Sequence, residues 1–166
     1  MSNYVLLNNI AHKNLKVILD HSATYGDNVM SAFTFPEEFK LVQGAYPIFF
    51  QKDESTGKFF PAAIFGFRED ENLFLNENGW DAQYIPLSVK RRPFLIGFQN
   101  IQTDGELKKN MVVHIDMDSP RISETQGESV FLPHGGHSTY LEKVVAMLDY
   151  MNAGIETGED FVNALG

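Results

Sequence analysis

Two short stretches hold histidine and aspartate residues at spacings that could bind a metal ion. "HIDMD" contains His114, Asp116 and Asp118, and "PHGGH" contains His134 and His137. On a β-strand, His114 and Asp116 would point to the same face, because side chains alternate with a period of two. A second histidine would complete the two-histidine, one-carboxylate set of non-haem iron enzymes, and the two aspartates alone would suit a hard cation. The sequence thus allows a metal-dependent enzyme.

A structural explanation of the same residues is stronger. The sequence separation between the two histidine stretches is short for a double-stranded barrel, because the metal ligands of that fold usually lie several strands apart. "DMDSP" is typical of a strand end followed by a turn, and "HGGHS" of a loop that leads into a helix. We therefore predict no metal and no other cofactor. The alternative metal set consists of His114, Asp116, His134 and His137.

A second cluster combines aromatic and basic side chains: Trp80, Tyr84, Lys90, Arg91 and Arg92. Tryptophan, tyrosine and arginine are over-represented at binding hot spots. Prolines at positions 86 and 93 limit any helix between them to about two turns. On such a helix the three basic side chains would fan out by about 100° each, so they could not grip one phosphate surface together. Two alternatives remain. The basic side chains pair with nearby acids and stack on Trp80 or Tyr84 within the fold, or they contact a ligand or partner.

Several chemistries lack their motifs. There is no glycine-rich phosphate-binding loop, no G-x-S-x-G nucleophile turn and no H-E-x-x-H zinc motif. The absence of cysteine excludes disulfides, thiolate metal sites and cysteine nucleophiles. A formal net charge of −9 repels phosphate backbones and anionic lipid surfaces. These observations favour a non-catalytic protein that does not bind nucleic acid.

The sequence also bears on location. No apolar run approaches the roughly 20 residues that a bilayer span needs. The start, "MSNYVLLNNIAHKN", lacks the basic and long apolar regions of a secretory signal. We therefore predict a cytoplasmic protein without a transmembrane segment.

The length and composition are those of one globular domain. The chain has 166 residues, of which 43% are apolar and 21% charged, so it can bury a sizeable core. Fourteen phenylalanines and six tyrosines favour sheets, because large rings pack well on a pleated surface. We predict a single domain over residues 1–166.

Short strands dominate the predicted elements. Strand patterns occupy residues 14–19, 29–35, 46–53, 58–67, 72–75, 94–100 and 109–116. Turn signals at "ESTG" and at Asp104-Gly105 each lie between two of these strand patterns, so we predict two hairpins. Pro36 opens a short helix. The short connections favour antiparallel pairing. We predict an α+β fold: a mainly antiparallel sheet of five to seven short strands, packed by a long C-terminal helix and short helices.

The C-terminal region changes to a helical period. Apolar residues recur at 141, 144, 145, 148 and 151. Thr139 and Glu142 have the spacing of a capping box, and Gly154 is a plausible stop. Thr157 then suits the cap of a further short helix. The pattern predicts two helices in succession.

Seven pieces of the chain carry a family resemblance: "YPIFF" (46–50), "GFREDENLFL" (66–75), "GWDAQYIP" (79–86), "RRPF" (91–94), "HIDMDSP" (114–120), "GESVF" (127–131) and "TYL" (139–141). In this order, over about residues 40 to 150, they resemble the SapC family of bacterial proteins. The chain departs from the family pattern at Arg92, where an aromatic residue is usual. Family members commonly continue beyond the position of Gly166, so the resemblance implies that the usual C-terminal extension is missing.

The resemblance implies an accessory role and supplies no catalytic residue. The family name is associated with bacterial surface layers and with a permease label. The lack of spanning segments argues against the permease label. Members are often encoded near flavin-dependent tryptophan-halogenase-like proteins and outer-membrane receptors. This setting implies a protein that handles a peptide or partner protein in a bacterial modification, uptake or surface-related system.

We therefore predict a non-catalytic accessory or binding protein with a protein or peptide partner. The predicted partner-binding residues are Trp80, Tyr84, Lys90, Arg91 and Arg92. Replacement of Trp80 or Arg91 by alanine is expected to weaken partner capture without unfolding the chain. One alternative is the metal-dependent enzyme, and another is a structural subunit of a surface assembly that forms homo-oligomers.

Overall fold

The computed structural model describes residues 2–103 and 106–165, with the backbone alone for residues 103, 106–108, 159, 160 and 163–165. Short antiparallel strands and a C-terminal helix form an α+β fold, which confirms the predicted fold class. The turn predicted at Asp104-Gly105 lies outside the described residues. No helix in the described ranges combines the length and the apolar content needed to cross a membrane.

The residue contacts divide the chain into two compact units, and each unit contains two segments of the chain. Unit 1 comprises residues 1–19 and 91–148, and unit 2 comprises residues 20–90 and 149–166. The single domain over residues 1–166 stays a prediction.

Unit 1 contains two antiparallel sheets. In the larger sheet the central strand β9 (Glu106–Asp116) pairs with β1 (Tyr4–Leu6) and with β8 (Phe94–Thr103). In the smaller sheet β2 (Lys16–Val17) pairs with two other short strands, β10 (Ile122–Ser123) and β11 (Glu128–Ser129). The long β8–β9 hairpin agrees with the two strand patterns predicted from residues 94–100 and 109–116.

The core of unit 1 joins these sheets to the first turns of the C-terminal helix. Helix α3 (Thr139–Leu165) supplies the predicted apolar stripe from residue 141 onward. Because these positions share one helical face, they pack together with apolar residues of the strands. The buried cluster comprises Leu15, Val17, Phe94, Ile115, Val130, Phe131, Leu141, Val144 and Leu148.

Unit 2 is built around a three-stranded antiparallel sheet. Its central strand β5 (Phe59–Ile64) pairs with β3 (Ser31–Phe33) and with β4 (Ile48–Lys52). The β4–β5 hairpin has its turn at the predicted "ESTG". The Asp53 carboxylate caps this turn by accepting hydrogen bonds from the Ser55 amide at 2.7 Å and from the Ser55 hydroxyl at 2.6 Å.

Short helices and a two-stranded pair complete unit 2. Pro36–Glu38 form a 3₁₀ turn that runs into α1 (Phe39–Val42), as the proline and the following acids predict. Ala23–Tyr25 form another 3₁₀ turn. The remaining elements are β6 (Leu75–Asn76), β7 (Gly79–Trp80) and α2 (Leu87–Lys90). The buried core of this unit comprises Ala32, Val42, Tyr46, Ala63, Phe65 and Val89.

The C-terminal helix does not stop at Gly154, so the prediction of two helices was wrong. Helix α3 continues from Thr139 to Leu165. A β-carbon at Gly154 would collide with the buried ring of Phe35, so the glycine permits close packing inside the helix. The hydroxyl of Thr157 donates to the Ala153 carbonyl at 3.1 Å, which is a bond within the helix and not a cap.

The N-terminal cap of α3 also lies one residue before the predicted one. The Leu141 amide donates to the Ser138 hydroxyl at 3.1 Å, and the Glu142 amide donates to the Ser138 carbonyl at 3.0 Å. Ser138 therefore satisfies a first-turn N–H that would otherwise lack a partner. Thr139 is the first helical residue.

The described residues form eleven strands, more than the five to seven expected. Five of them, β2, β6, β7, β10 and β11, are only two residues long. Such short ladders are too brief to show a period of two in the sequence. The strand expected at 72–75 is observed instead as β6 over Leu75–Asn76.

Candidate functional site

The histidine and aspartate on β9 have structural neighbours. His114 lies opposite Leu6 on one side and Leu95 on the other. Its ring fills the space beside Gly97, where a β-carbon would collide with it. Asp116 accepts a hydrogen bond from the Asn3 amide at 2.7 Å, so its carboxylate holds the end of the β1–β9 pair.

The other two histidines of the predicted metal set lie in the loop before α3. His134 and His137 are exposed, and the backbone of His137 forms an isolated bridge with Phe131. Over the ranges that the structure describes, no three histidine or acidic side chains come together as a metal ion would require. The structure therefore does not assemble His114, Asp116, His134 and His137 into a metal centre.

Trp80 is part of an aromatic cluster in unit 2. Its indole N–H donates to the Tyr46 hydroxyl at 2.7 Å. Its ring meets Phe65 edge to face at 5.1 Å and His21 at 5.7 Å between centroids. The Tyr46 hydroxyl donates in turn to the backbone carbonyl of Tyr84. We call Tyr46, Phe65, Trp80 and Tyr84 the Trp80 cluster.

Tyr84 connects the Trp80 cluster to a buried carboxylate. Its hydroxyl donates to Glu38 Oε1 at 2.8 Å. Burial and, next, this hydrogen bond raise the pKa of Tyr84 above its usual range. Lys90 Nζ lies 5.3 Å from the centroid of the Tyr84 ring, a cation–π distance. Aromatic and basic members of the predicted set are thus already engaged within unit 2.

The two arginines of the predicted set belong to the second segment of unit 1. Arg91 Nη1 donates to the carbonyl of Phe94 at 2.7 Å, and burial lowers the pKa of the Arg91 guanidinium. Arg92 is half-buried and precedes a cis peptide bond to Pro93. The structure therefore brings Trp80, Tyr84 and Lys90 into one unit but places the arginines in the other. The partner-binding role of all five residues stays a prediction.

Glu38 is a polar residue that sequence reasoning missed. It is 1% exposed, although charged side chains are rarely buried without partners. Its carboxylate accepts hydrogen bonds from the Thr34 hydroxyl at 2.7 Å, from the Tyr84 hydroxyl and from the Leu87 amide at 2.7 Å. In the sequence, Glu38 and its exposed neighbour Glu37 are indistinguishable acids of a first helical turn.

His21 and Asp27 form a second polar pair that the sequence does not reveal. His21 Nδ1 lies 3.0 Å from Asp27 Oδ2, and the Asp27 side chain is fully buried. The Ser22 amide donates to the same carboxylate oxygen at 3.1 Å. Asp27 therefore organises the loop that follows residue 20 and orients the imidazole that packs against Trp80.

A groove of about 560 Å³ opens in unit 2. One wall comes from the sheet and the other from the second half of α3, through Ile155, Gly158 and Val162. The apolar side chains of the lining are Phe33, Phe35, Phe59, Phe60, Pro61, Ile155 and Val162. The volume lies within the range of ordinary binding pockets, about 300 to 1,000 Å³. We call this feature the groove.

Exposed phenylalanines extend the apolar surface at the groove. Phe59 lines it and is 51% exposed. Phe50 lies opposite Pro61 in the β4–β5 pair and is also exposed. Phe161, next to the lining residue Val162, lies 6.4 Å from Phe50 between ring centroids. Exposed apolar patches of this kind mark interaction surfaces.

The hairpin turn forms the polar end of the groove through Asp53, Thr56 and Lys58. Hydrogen bonds from the Ser55 side chain and then from the Thr56 and Ser55 amides lower the pKa of Asp53. The carboxylate is therefore ionised at neutral pH. Thr34 joins the groove to Glu38, because it lines the groove and donates to that carboxylate.

Sequence reasoning predicted the hairpin but not the groove. Its phenylalanines occur in strand patterns in which they look like core residues, and no local signal separates exposed from buried rings. The second wall is formed about a hundred positions further along the chain, on a helix predicted to have ended.

The family comparison agrees with the resemblance found in the sequence. The family described as SapC matches residues 7–166, which is nearly the whole chain. No curated protein and no solved structure matches the chain. The extent of the family match, over both units, leads to one conclusion: the chain belongs to the SapC family.

Proposed function

We propose that this chain is a non-catalytic accessory protein whose groove binds a segment of a partner polypeptide. The observation that carries the proposal is the open, apolar groove of unit 2 with its exposed phenylalanine rim. Burial of apolar surface is the main source of free energy in protein association, at about 25 cal/mol per Å². Exposed rings such as Phe59 supply that surface without any rearrangement of the core.

The shape and lining of the groove support a polypeptide partner. Phe50 and Phe161 continue the apolar surface from the lining residues toward solvent. A ligand that lies along the groove can therefore contact several rings in succession, as an extended or helical peptide does. The family setting supports the same role in a bacterial modification, uptake or surface-related system. A cytoplasmic location is part of the proposal.

The polar residues that line the groove support binding more than catalysis. A catalytic acid or base usually has a pKa shifted toward neutrality. Asp53 has the opposite shift, because the turn that it caps stabilises its ionised form. Glu38, the buried carboxylate nearest in the hydrogen-bond network, already accepts three hydrogen bonds. The hydrogen bonds of Asp53 and Glu38 therefore give both carboxylates a structural role.

A photo-crosslinking experiment tests the proposal. A photo-reactive phenylalanine analogue replaces Phe59 in the groove, and the matched control carries it at Phe67. Phe67 is 84% exposed, belongs to the same unit and does not line the groove. After irradiation in cells, we expect protease-sensitive adducts at position 59 and few at position 67.

Two outcomes would contradict the accessory function. Equal adduct formation at both positions would show that the groove has no special affinity for polypeptides. Adducts only with a second copy of this chain would support the structural-subunit alternative instead. Mass spectrometry of the adducts separates these outcomes.

A further inference from the structure

The two units differ sharply in charge. Unit 2 contains fifteen of the 22 acidic residues and five of the 13 basic residues, which gives a formal charge of −10. Unit 1 contains the remaining seven acidic and eight basic residues, which gives +1. The whole negative charge of the chain therefore belongs to the unit that contains the groove.

One acidic residue lines the groove, and two others are next in sequence to lining residues. Asp53 lines it and is ionised, and Glu54 is the next residue in the same turn. On helix α3, the exposed Glu156 is the next residue after the lining residue Ile155. The groove thus combines an apolar lining with one lining carboxylate, Asp53, and two further acidic residues that are next in sequence to lining positions.

Two lysines also lie near the groove. Lys58 lines it, and Lys52 Nζ lies 6.0 Å from the ring of Phe59. They offset part of the local negative charge. The formal charge of unit 2, which includes both lysines, remains strongly negative and dominates the field that an approaching partner meets.

We infer that the groove binds a basic, apolar segment of a partner polypeptide. Aliphatic or aromatic side chains of the segment fill the groove, and its lysines or arginines lie near the carboxylates of Asp53, Glu54 and Glu156. This inference rests on the proposed function and adds the chemistry of the partner to it. Charge complementarity excludes anionic partners, because like charges that face each other across an interface weaken binding strongly.

Three synthetic peptides of equal length test the charge preference. They alternate leucine with lysine, with glutamine or with glutamate, so that their apolar content is the same. Isothermal titration calorimetry with the full chain should show the tightest binding for the lysine peptide and none for the glutamate peptide. Affinity for the lysine peptide should fall at least about tenfold between about 0.05 M and 0.5 M salt, because added ions screen the attraction.

Variants locate the binding site and exclude diffuse attraction to an acidic surface. Phe59→Ser should weaken binding of the lysine peptide at least about tenfold, whereas the matched Phe67→Ser should not. If Phe59→Ser fails to fold, Ile155→Gln on the helical wall replaces it. Glu54→Gln combined with Glu156→Gln should reduce the salt dependence. Glu77→Gln with Asp81→Asn, exposed acids of unit 2 that neither line the groove nor follow a lining residue, should leave it unchanged.

Each result supports or overturns a separate part of the inference. Equal affinity for the lysine and glutamine peptides, with no salt dependence, would overturn the basic partner and leave a peptide-binding groove. If Phe59→Ser and Phe67→Ser bind the lysine peptide equally well, the groove is not the site of the basic segment. The accessory function is then tested by the crosslinking experiment alone. Failure of all three peptides to bind would overturn the inference.

Discussion

The Trp80 cluster and the groove lie in the same unit, but they use aromatic residues in opposite ways. In the Trp80 cluster, rings and their polar atoms contact one another, and Trp80, Tyr46 and Tyr84 form a chain of hydrogen bonds. In the groove, Phe59 leaves half of its surface in solvent. The residues that are most conspicuous in the sequence therefore stabilise the fold, whereas ordinary phenylalanines provide the open surface.

The largest expected effect is on the stability of the Trp80 cluster. Trp80→Ala should lower the free energy of unfolding by about 3–4 kcal/mol, because it removes the edge-to-face contacts and leaves the Tyr46 hydroxyl without its donor. Chemical denaturation measures the loss. Trp80→Phe, which retains a ring, should cost about 1–2 kcal/mol. The sequence predicted an intact fold and weaker partner capture for Trp80→Ala, so an unchanged midpoint would contradict the structural role and agree with that prediction.

A smaller effect concerns the buried carboxylate that links the two regions. Glu38→Ala should lower the free energy of unfolding by about 2–3 kcal/mol, because the Tyr84 hydroxyl and the Leu87 amide lose their acceptor. The matched Glu37→Ala should stay within about 0.5 kcal/mol, since Glu37 is exposed. Thermal melting of the two variants provides the comparison. Similar losses for both would mean that the acceptor role of Glu38 contributes little.

The smallest effect is a pH dependence of stability. The pKa of Tyr84 is raised in the folded state, so the unfolded chain loses this proton first as the pH rises. Its contribution to stability is therefore complete below the ordinary tyrosine pKa of 10.0 and declines above it. Urea titrations from pH 8 to 11 should show a steeper decline for the wild type than for Tyr84→Phe. Parallel curves would assign the decline to other groups, such as Tyr46 and Tyr140, whose pKa values are also raised.

Local signals predicted much of the fold. The β4–β5 hairpin follows from two apolar runs around a turn, and the stripe that begins at Leu141 follows from the helical period. The prediction failed where the role of a residue depends on a contact with a residue far away in the sequence. Gly154 has the usual sign of a helix end, but its role depends on Phe35, which lies far away in the sequence.

The candidate site was less predictable than the fold for the same reason. Whether a phenylalanine such as Phe59 is covered depends on which element packs over it, and no residue next to it in the sequence carries that information. Glu38 differs from Glu37 only through its contacts with Thr34, Tyr84 and Leu87. The composition provides the net charge of the chain, but only the division into two units shows that the negative charge is concentrated in unit 2.

The two walls of the groove also have a consequence for synthesis of the chain. A ribosome completes the first wall at Pro61 and supplies the second only when it reaches Val162. At about 5 to 20 residues per second, roughly 5 to 20 s separate these two events. During that interval the apolar strand wall is present without its helical cover. A nascent chain therefore passes through a stage at which the apolar strand wall exposes more surface to solvent than it does in the finished fold.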